Sequence, residues 1–128
     1  MKIQLTSVMV DDQDKALAFY AGVLGFVKKQ DVPIGEYKWL TVVSPDGPGD
    51  VELLLEPIAF EPARVFQRAL YDAGIAAAAF AVDDIHVEHA RLRARGVVFR
   101  SAPEAMGPVV QAVFEDTCGN LIQLYQAE

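Results

Sequence analysis

Hydrophobic and polar positions change their spacing repeatedly along this chain, and each change marks a new element. Residues Ile3 to Val10 form an extended, largely apolar run that predicts a strand. Asp11 and Asp12 offer carboxylates for a helix N-cap, and Ala16, Leu17, Phe19, Tyr20, Val23 and Leu24 recur at helical spacing until Gly25 stops the pattern. Strands are predicted from Phe26 to Val32, Trp39 to Ser44 and Val51 to Leu55, separated by a turn at Pro33-Ile34-Gly35 and a loop from Pro45 to Gly49. After a break from Pro57 to Pro62, Phe66, Leu70 and Ala73 mark one side of a second helix that Gly74 ends.

The second half of the chain repeats this order. Ile75 to Val82 reads as a strand, Asp83 and Asp84 cap a helix that Gly96 ends, and Val97 to Ser101, Val109 to Glu115 and Leu121 to Tyr125 read as strands, with a loop from Pro103 to Pro108. A Gly119-Asn120 pair between the last two runs predicts a tight hairpin turn. In the final run Leu121, Gln123 and Tyr125 share one face and Ile122 and Leu124 the other. An amide and a phenol among apolar neighbours suit a wall of a small-molecule pocket, and they equally suit an ordinary half-exposed strand.

The order strand, helix, three strands thus occurs twice. Val10-Asp11-Asp12 recurs as Val82-Asp83-Asp84, the following helices both stop at glycine, and Asp46-Gly47 before Val51-Glu52-Leu53 corresponds to Asp116 to Gly119 before Ile122-Gln123-Leu124. This internal repeat predicts module one at 1–56, a linker helix at 57–74 and module two at 75–128. The fold class expected is α+β, with paired βαβββ modules forming a curved mixed sheet around a cleft, because each sheet has one helix and must cover its other face. The repeat matches Leu5 with Ala77 on the first strands and Glu52 with Gln123 on the last.

Composition narrows the function. The chain has 128 residues, enough for one domain with a real core, and a net charge of -7. That acidity opposes nonspecific binding to nucleic acid or to an anionic membrane. No apolar run reaches the length of a membrane span, and no signal peptide is visible at the N-terminus. The single cysteine, Cys118, precludes an intrachain disulfide and reads as an inert thiol. A soluble cytoplasmic protein is expected. His86 and His89 lie three apart on the second capped helix and read as part of its solvated surface. Trp39 and Tyr37 fit the core or a stacking surface for a planar ligand, and Ala77, Ala79 and Ala81 leave room on one strand face.

Two stretches carry a family resemblance. Val10-Asp11-Asp12, Ala16-Leu17-Ala18-Phe19-Tyr20 and Val23-Leu24-Gly25-Phe26 resemble the opening of vicinal oxygen chelate proteins, which include glyoxalase, bleomycin-resistance protein and extradiol dioxygenases. Asp116-Thr117-Cys118-Gly119-Asn120-Leu121-Ile122-Gln123-Leu124 resembles their ending. The resemblance implies a cleft, usually in a homodimer, and in many members a divalent metal held by two histidines and two glutamates. At those four positions this chain has Leu5, Glu52, Ala77 and Gln123. Leu5 and Ala77 cannot ligate and Gln123 is a weak neutral donor, so no metal cofactor is expected. The leading expectation is a small-molecule binding protein whose ligand site draws on Leu5, Trp39, Glu52, Ala77, Gln123 and Tyr125. The alternatives are a glyoxalase-like lyase or isomerase with Glu52 as general base, its pKa raised by burial, and a dioxygenase.

Overall fold

Two βαβββ modules make up the fold of the computed structural model, which describes residues 1–127. The elements in order are β1 (Leu5–Val10), α1 (Gln13–Leu17) continued by a π-helical turn (Ala18–Val23), β2 (Val27–Ile34), β3 (Tyr37–Val43), β4 (Glu52–Pro57), α2 (Glu61–Asp72), β5 (Ala78–Ala81), α3 (Ile85–Ala94), β6 (Glu104–Met106), β7 (Val109–Glu115) and β8 (Leu121–Ala127). One four-stranded sheet has the order β1-β4-β3-β2 and the other β5-β8-β7-β6. In each, the first strand pairs in parallel with the last and the remaining pairs are antiparallel. The chain divides into two compact units between Val65 and Phe66, inside α2 rather than at its ends.

In the first unit the Asp12 carboxylate accepts from the Lys15 amide at 3.0 Å and starts α1. Ala16, Phe19 and Tyr20 then bury one side of the helix, with the two rings edge to face at 5.6 Å. Val8, Val10, Leu40, Val42 and Leu55 are buried as well; at alternating positions of β1, β3 and β4 they share the face covered by α1. Burial of each such side chain contributes about 2 kcal/mol. The continuous helix expected up to Val23 instead widens into the π turn, whose end is marked by the Leu24 amide bonding to the Phe19 carbonyl at 2.9 Å.

The second unit follows the same scheme. Asp84 caps α3 by accepting from the amides of His86 and Val87 at 3.1 and 3.2 Å. Ile85, Leu92, Ala112, Phe114, Ile122 and Leu124 form its core. His89 is not part of a solvated histidine surface: its ring packs edge to face on Phe99 at 4.4 Å, and burial, followed by Arg93 and His86, lowers its pKa below the ordinary 6.5. His86 is exposed.

Three sequence expectations are corrected. Residues 97–101 are not a strand; only Phe99 makes an isolated bridge, to Phe114, and the second strand of this module is β6, inside the stretch expected to be a loop. Val97 folds back on α3 instead, its amide bonding to the Leu92 carbonyl at 3.0 Å. Pro33 and Ile34 belong to β2, which tolerates proline because it is an edge strand, and only Gly35 and Glu36 turn. Between β7 and β8 the connection spans Asp116 to Asn120 and is not a two-residue Gly-Asn turn. The buried Asp116 organises it: Oδ1 accepts from the amides of Cys118 at 2.7 Å and Asn120 at 3.0 Å, and Oδ2 from the Asn120 side chain at 2.7 Å. Gln67 of α2 lies across this loop and donates to the Cys118 carbonyl and to Asn120 Oδ1, both at 3.1 Å.

Gly119 has φ +98°, and a Cβ there would meet Gln67 Oε1 at 2.7 Å. Gly119→Ala is therefore expected to destabilise the protein by about 1–3 kcal/mol in urea unfolding. In a Gln67→Ala background the same change should cost less, and an equal cost in both backgrounds would show that Gln67 does not press on this loop.

Candidate functional site

The first sheet has a second face, turned away from α1. Strand alternation and register place Leu5, Glu52, Leu54, Glu56, Trp39, Thr41, Gln30, Val32 and Ile34 on it. Much of it is apolar and open: Leu5 is 45% exposed, Val27 50%, Val32 50% and Ile34 58%. These apolar side chains stand on the two edge strands, β1 and β2, and flank the polar Glu52, Thr41 and Gln30.

Glu52, the first residue of β4, is one of two carboxylates on this surface, with Glu56, and lies opposite Leu5 on β1 and Val43 on β3. Its side chain is 16% exposed. Oε1 accepts from the Thr41 hydroxyl at 2.7 Å and from the Gln30 amide at 2.6 Å. Lys29 stands 3.8 Å from Oε2 and also donates to the Gly49 carbonyl at 2.7 Å. A bulge between Lys28 and Gln30 lets β2 bring both Lys29 and Gln30 to the carboxylate. The bond from Thr41, then that from Gln30, then the charge of Lys29 lower the Glu52 pKa below 4.5 against the opposing effect of burial. The upward shift expected from burial is thus reversed by donors that the sequence did not reveal. Glu52 is set up as a fixed anion and acceptor, not as a base poised near neutrality.

The second sheet offers a different surface on the face turned away from α3. Gln123 on β8 donates to Gln111 Oε1 at 3.4 Å, and Gln111 donates to Glu104 at 3.1 Å, a line of polar side chains across β8, β7 and β6. Tyr125 is half-buried and pairs in register with Gln111 and with Ala81. Ala79, not Ala77, lies directly opposite Gln123, while Ala77 precedes β5 and bonds through its amide to the Leu121 carbonyl at 2.9 Å. Nearby, the Tyr71 hydroxyl donates to Glu115, and the Arg100 guanidinium sits 5.1 Å above the Tyr71 ring.

Glu52 and Leu5 therefore occupy one sheet face with Trp39, and Gln123 and Tyr125 one face of the other sheet. Thr41, Gln30, Lys29, Gln111 and Glu104 are neighbours of these residues that sequence reading missed. Their types were visible, but the strand register that brings them together, including the β2 bulge at Lys29 and Gln30, was not. The donor set at the four metal positions of the resemblance does not fit a divalent ion, since Leu5 and Ala77 carry no donor atom. Among the described residues no group of three or more His, Cys, Asp or Glu is placed to hold a metal.

Comparison with known proteins agrees with this architecture. Residues 2–124 match the sequence model of the Glyoxalase/Bleomycin resistance protein/Dioxygenase superfamily. The uncharacterized protein YurT of Bacillus subtilis (strain 168) is 51% identical over 126 residues, covering 98% of this chain and 99% of YurT. The crystal structure of UcmS2 superposes with a TM-score of 0.84 at 32% identity, over 98% of this chain and 97% of that one. TnmS3, an antibiotic binding protein from Streptomyces sp. CB03234, gives a TM-score of 0.76 at 30% identity, over 100% and 97%.

The depressed pKa of Glu52 has a measurable consequence. Its bonds stabilise the fold above the ordinary value of 4.5, and that contribution is lost as pH falls through the lower folded value. Thr41→Val should raise the folded pKa. The stability gap between wild type and variant in urea unfolding should be widest above pH 4.5 and narrow below it. A gap that is constant with pH would show that Thr41 does not act through this carboxylate.

Proposed function

The chain belongs to the Glyoxalase/Bleomycin resistance protein/Dioxygenase superfamily, and from that premise we propose that it is a small-molecule binding protein that works without the superfamily's usual metal site. The observation that carries this reading is the apolar face of the first sheet, with Trp39 and Tyr37 on it and Glu52 held there as a fixed acceptor. An apolar wall with a few placed polar groups is the usual composition of a ligand site. The similarity to an antibiotic binding protein supports an antibiotic-like ligand, and the rings of Trp39 and Tyr37 suit a planar one. Leu5, on the same sheet, supplies an apolar contact beside Glu52.

A glyoxalase-like lyase or isomerase would need Glu52 as a base with its pKa raised toward neutrality, and the bonds from Thr41 and Gln30 act in the opposite direction. A dioxygenase would need metal ligands where Leu5 and Ala77 stand. We place the protein in the cytoplasm, as its single cysteine fits a reducing compartment. We also assign it a homodimeric state, supported by Phe60, Val65 and Phe66 around α2, which are 68%, 60% and 64% exposed.

The ligand reading is tested by titrating a panel of planar aromatic antibiotics while following the emission of Trp39, the one tryptophan. Saturable quenching is expected, with an affinity about tenfold lower, ~1.4 kcal/mol, in Trp39→Leu followed by calorimetry. Turnover of hemithioacetals by the purified protein would overturn the reading in favour of a lyase. In sedimentation velocity the wild type should run as a dimer and Phe66→Glu as a monomer; a monomeric wild type would remove the homodimer.

A further inference from the structure

The first sheet is incomplete in a specific place. Strands β3 and β4 pair only through Thr41–Leu54, Val42–Leu53 and Val43–Glu52, although β3 reaches back to Tyr37 and β4 on to Pro57. The corresponding strands of the second sheet, β7 and β8, pair over all seven residues, from Val109–Ala127 to Glu115–Leu121. Where β3 and β4 part, the side chain of Gln13 stands between them. Its Nε2 donates to the Lys38 carbonyl at 2.8 Å and to the Leu55 carbonyl at 2.9 Å, and its Oε1 accepts from the Lys38 amide at 3.0 Å. One primary amide thus replaces the rungs the two strands do not form with each other. Three backbone groups at the gap, the Lys38 amide and the Lys38 and Leu55 carbonyls, are satisfied in this way, so the gap is a built feature of the sheet and not a frayed end.

Two side chains border this gap on the face away from α1. Trp39 lies two residues from Thr41 on β3, and Glu56 two residues from Leu54 on β4, so continued pairing would have set them against each other. Both are half-buried. Among the described residues neither the Glu56 carboxylate nor the Trp39 indole N–H has a hydrogen-bond or ion-pair partner, in contrast to Glu52, whose carboxylate has three neighbours. A half-buried carboxylate without a donor, beside an indole with a free edge, matches a planar ligand that carries a positive charge or an amino group.

We infer that the gap between β3 and β4 is a subsite for the cationic or amino-bearing part of a planar ligand, in which Trp39 is the stacking wall, Glu56 the acceptor and Gln13 the positioning residue that holds the strands apart. The inference rests on the ligand-binding reading above and specifies the ligand's chemistry. Full pairing of β3 with β4 would set Trp39 and Glu56 directly opposite each other. The amide of Gln13 occupies the place of those rungs from the helix side of the sheet, so it acts on the ligand only through strand spacing.

The test compares acridine orange, a planar cation, with the neutral planar 9-anthracenemethanol by calorimetry on the full chain. The native protein should bind one acridine orange per chain and prefer it to the neutral compound. Glu56→Gln should weaken acridine orange about tenfold and leave the neutral compound unchanged. Asp46→Asn, an exposed acid in a loop, should change neither. Gln13→Leu should weaken both compounds and shift the Trp39 emission maximum, a signal that a loss of stability alone would not produce in the folded protein. If the native protein binds both compounds equally and Glu56→Gln changes nothing, this inference falls while the ligand-binding reading stands. If Asp46→Asn weakens acridine orange as much as Glu56→Gln, general acidity explains the binding and the subsite falls. If the native protein binds neither compound but is quenched by other planar aromatics, again only the subsite falls; if no aromatic ligand quenches Trp39, both readings fall.

Discussion

Each module has one helix to cover a sheet with two faces, and most of the structure follows from that constraint. α1 and α3 bury the aliphatic positions on one face, Val8, Val10, Leu40, Val42 and Leu55 in the first sheet and Ala112, Phe114, Ile122 and Leu124 in the second. Backbone alternation then sends every intervening residue to the face the helix does not reach. That face of the first sheet keeps apolar residues that an ordinary solvated surface would not carry in such number. The residues left open on that face are therefore fixed by the same alternation that builds the core.

Polar groups in this fold divide into those that hold structure and those left to meet something else. Asp12 and Asp84 start helices, Asp116 ties a buried loop, Gln67 closes over that loop, and Gln13 bridges two strands. In each the side chain satisfies backbone groups that would otherwise lack partners, which is where a buried polar residue contributes most. Glu52 is intermediate: it sits on the face turned away from α1, yet its bonds to Thr41 and Gln30 favour its ionised form. Glu56 and Trp39 have no such commitments. The two glutamates of one strand, four residues apart, thus differ in role because of what the neighbouring strands place beside them.

The duplication, the caps and the glycine stops were legible in residues such as Val10-Asp11-Asp12 and Val82-Asp83-Asp84, since capping and αL geometry are local demands that one or two residues meet. The strand β6 was not legible. Val97 to Ser101 has more β-branched and aromatic character than Glu104 to Met106, but Val97 is drawn onto α3, and β7 pairs with the later segment. The loop before β8 was misread for a related reason. Gly119-Asn120 favours a tight turn locally, and the buried Asp116 outweighs that preference with three bonds of its own.

The candidate site shows the same division. Sequence alone determined that Leu5, Glu52, Ala77 and Gln123 stand at matched places in two modules, because residue type and repeat spacing are properties of the chain. It also determined that two of the four cannot ligate a metal. Tertiary structure alone decided the chemistry of Glu52, because its pKa depends on donors from neighbouring strands, Thr41 of β3 and, by way of a bulge that no local pattern encodes, Gln30 and Lys29 of β2. It likewise decided that β3 and β4 separate and that Gln13, which no sequence pattern singles out, bridges them. Local propensity is set by neighbours in the chain, whereas register, ionisation and strand spacing are set by neighbours in space.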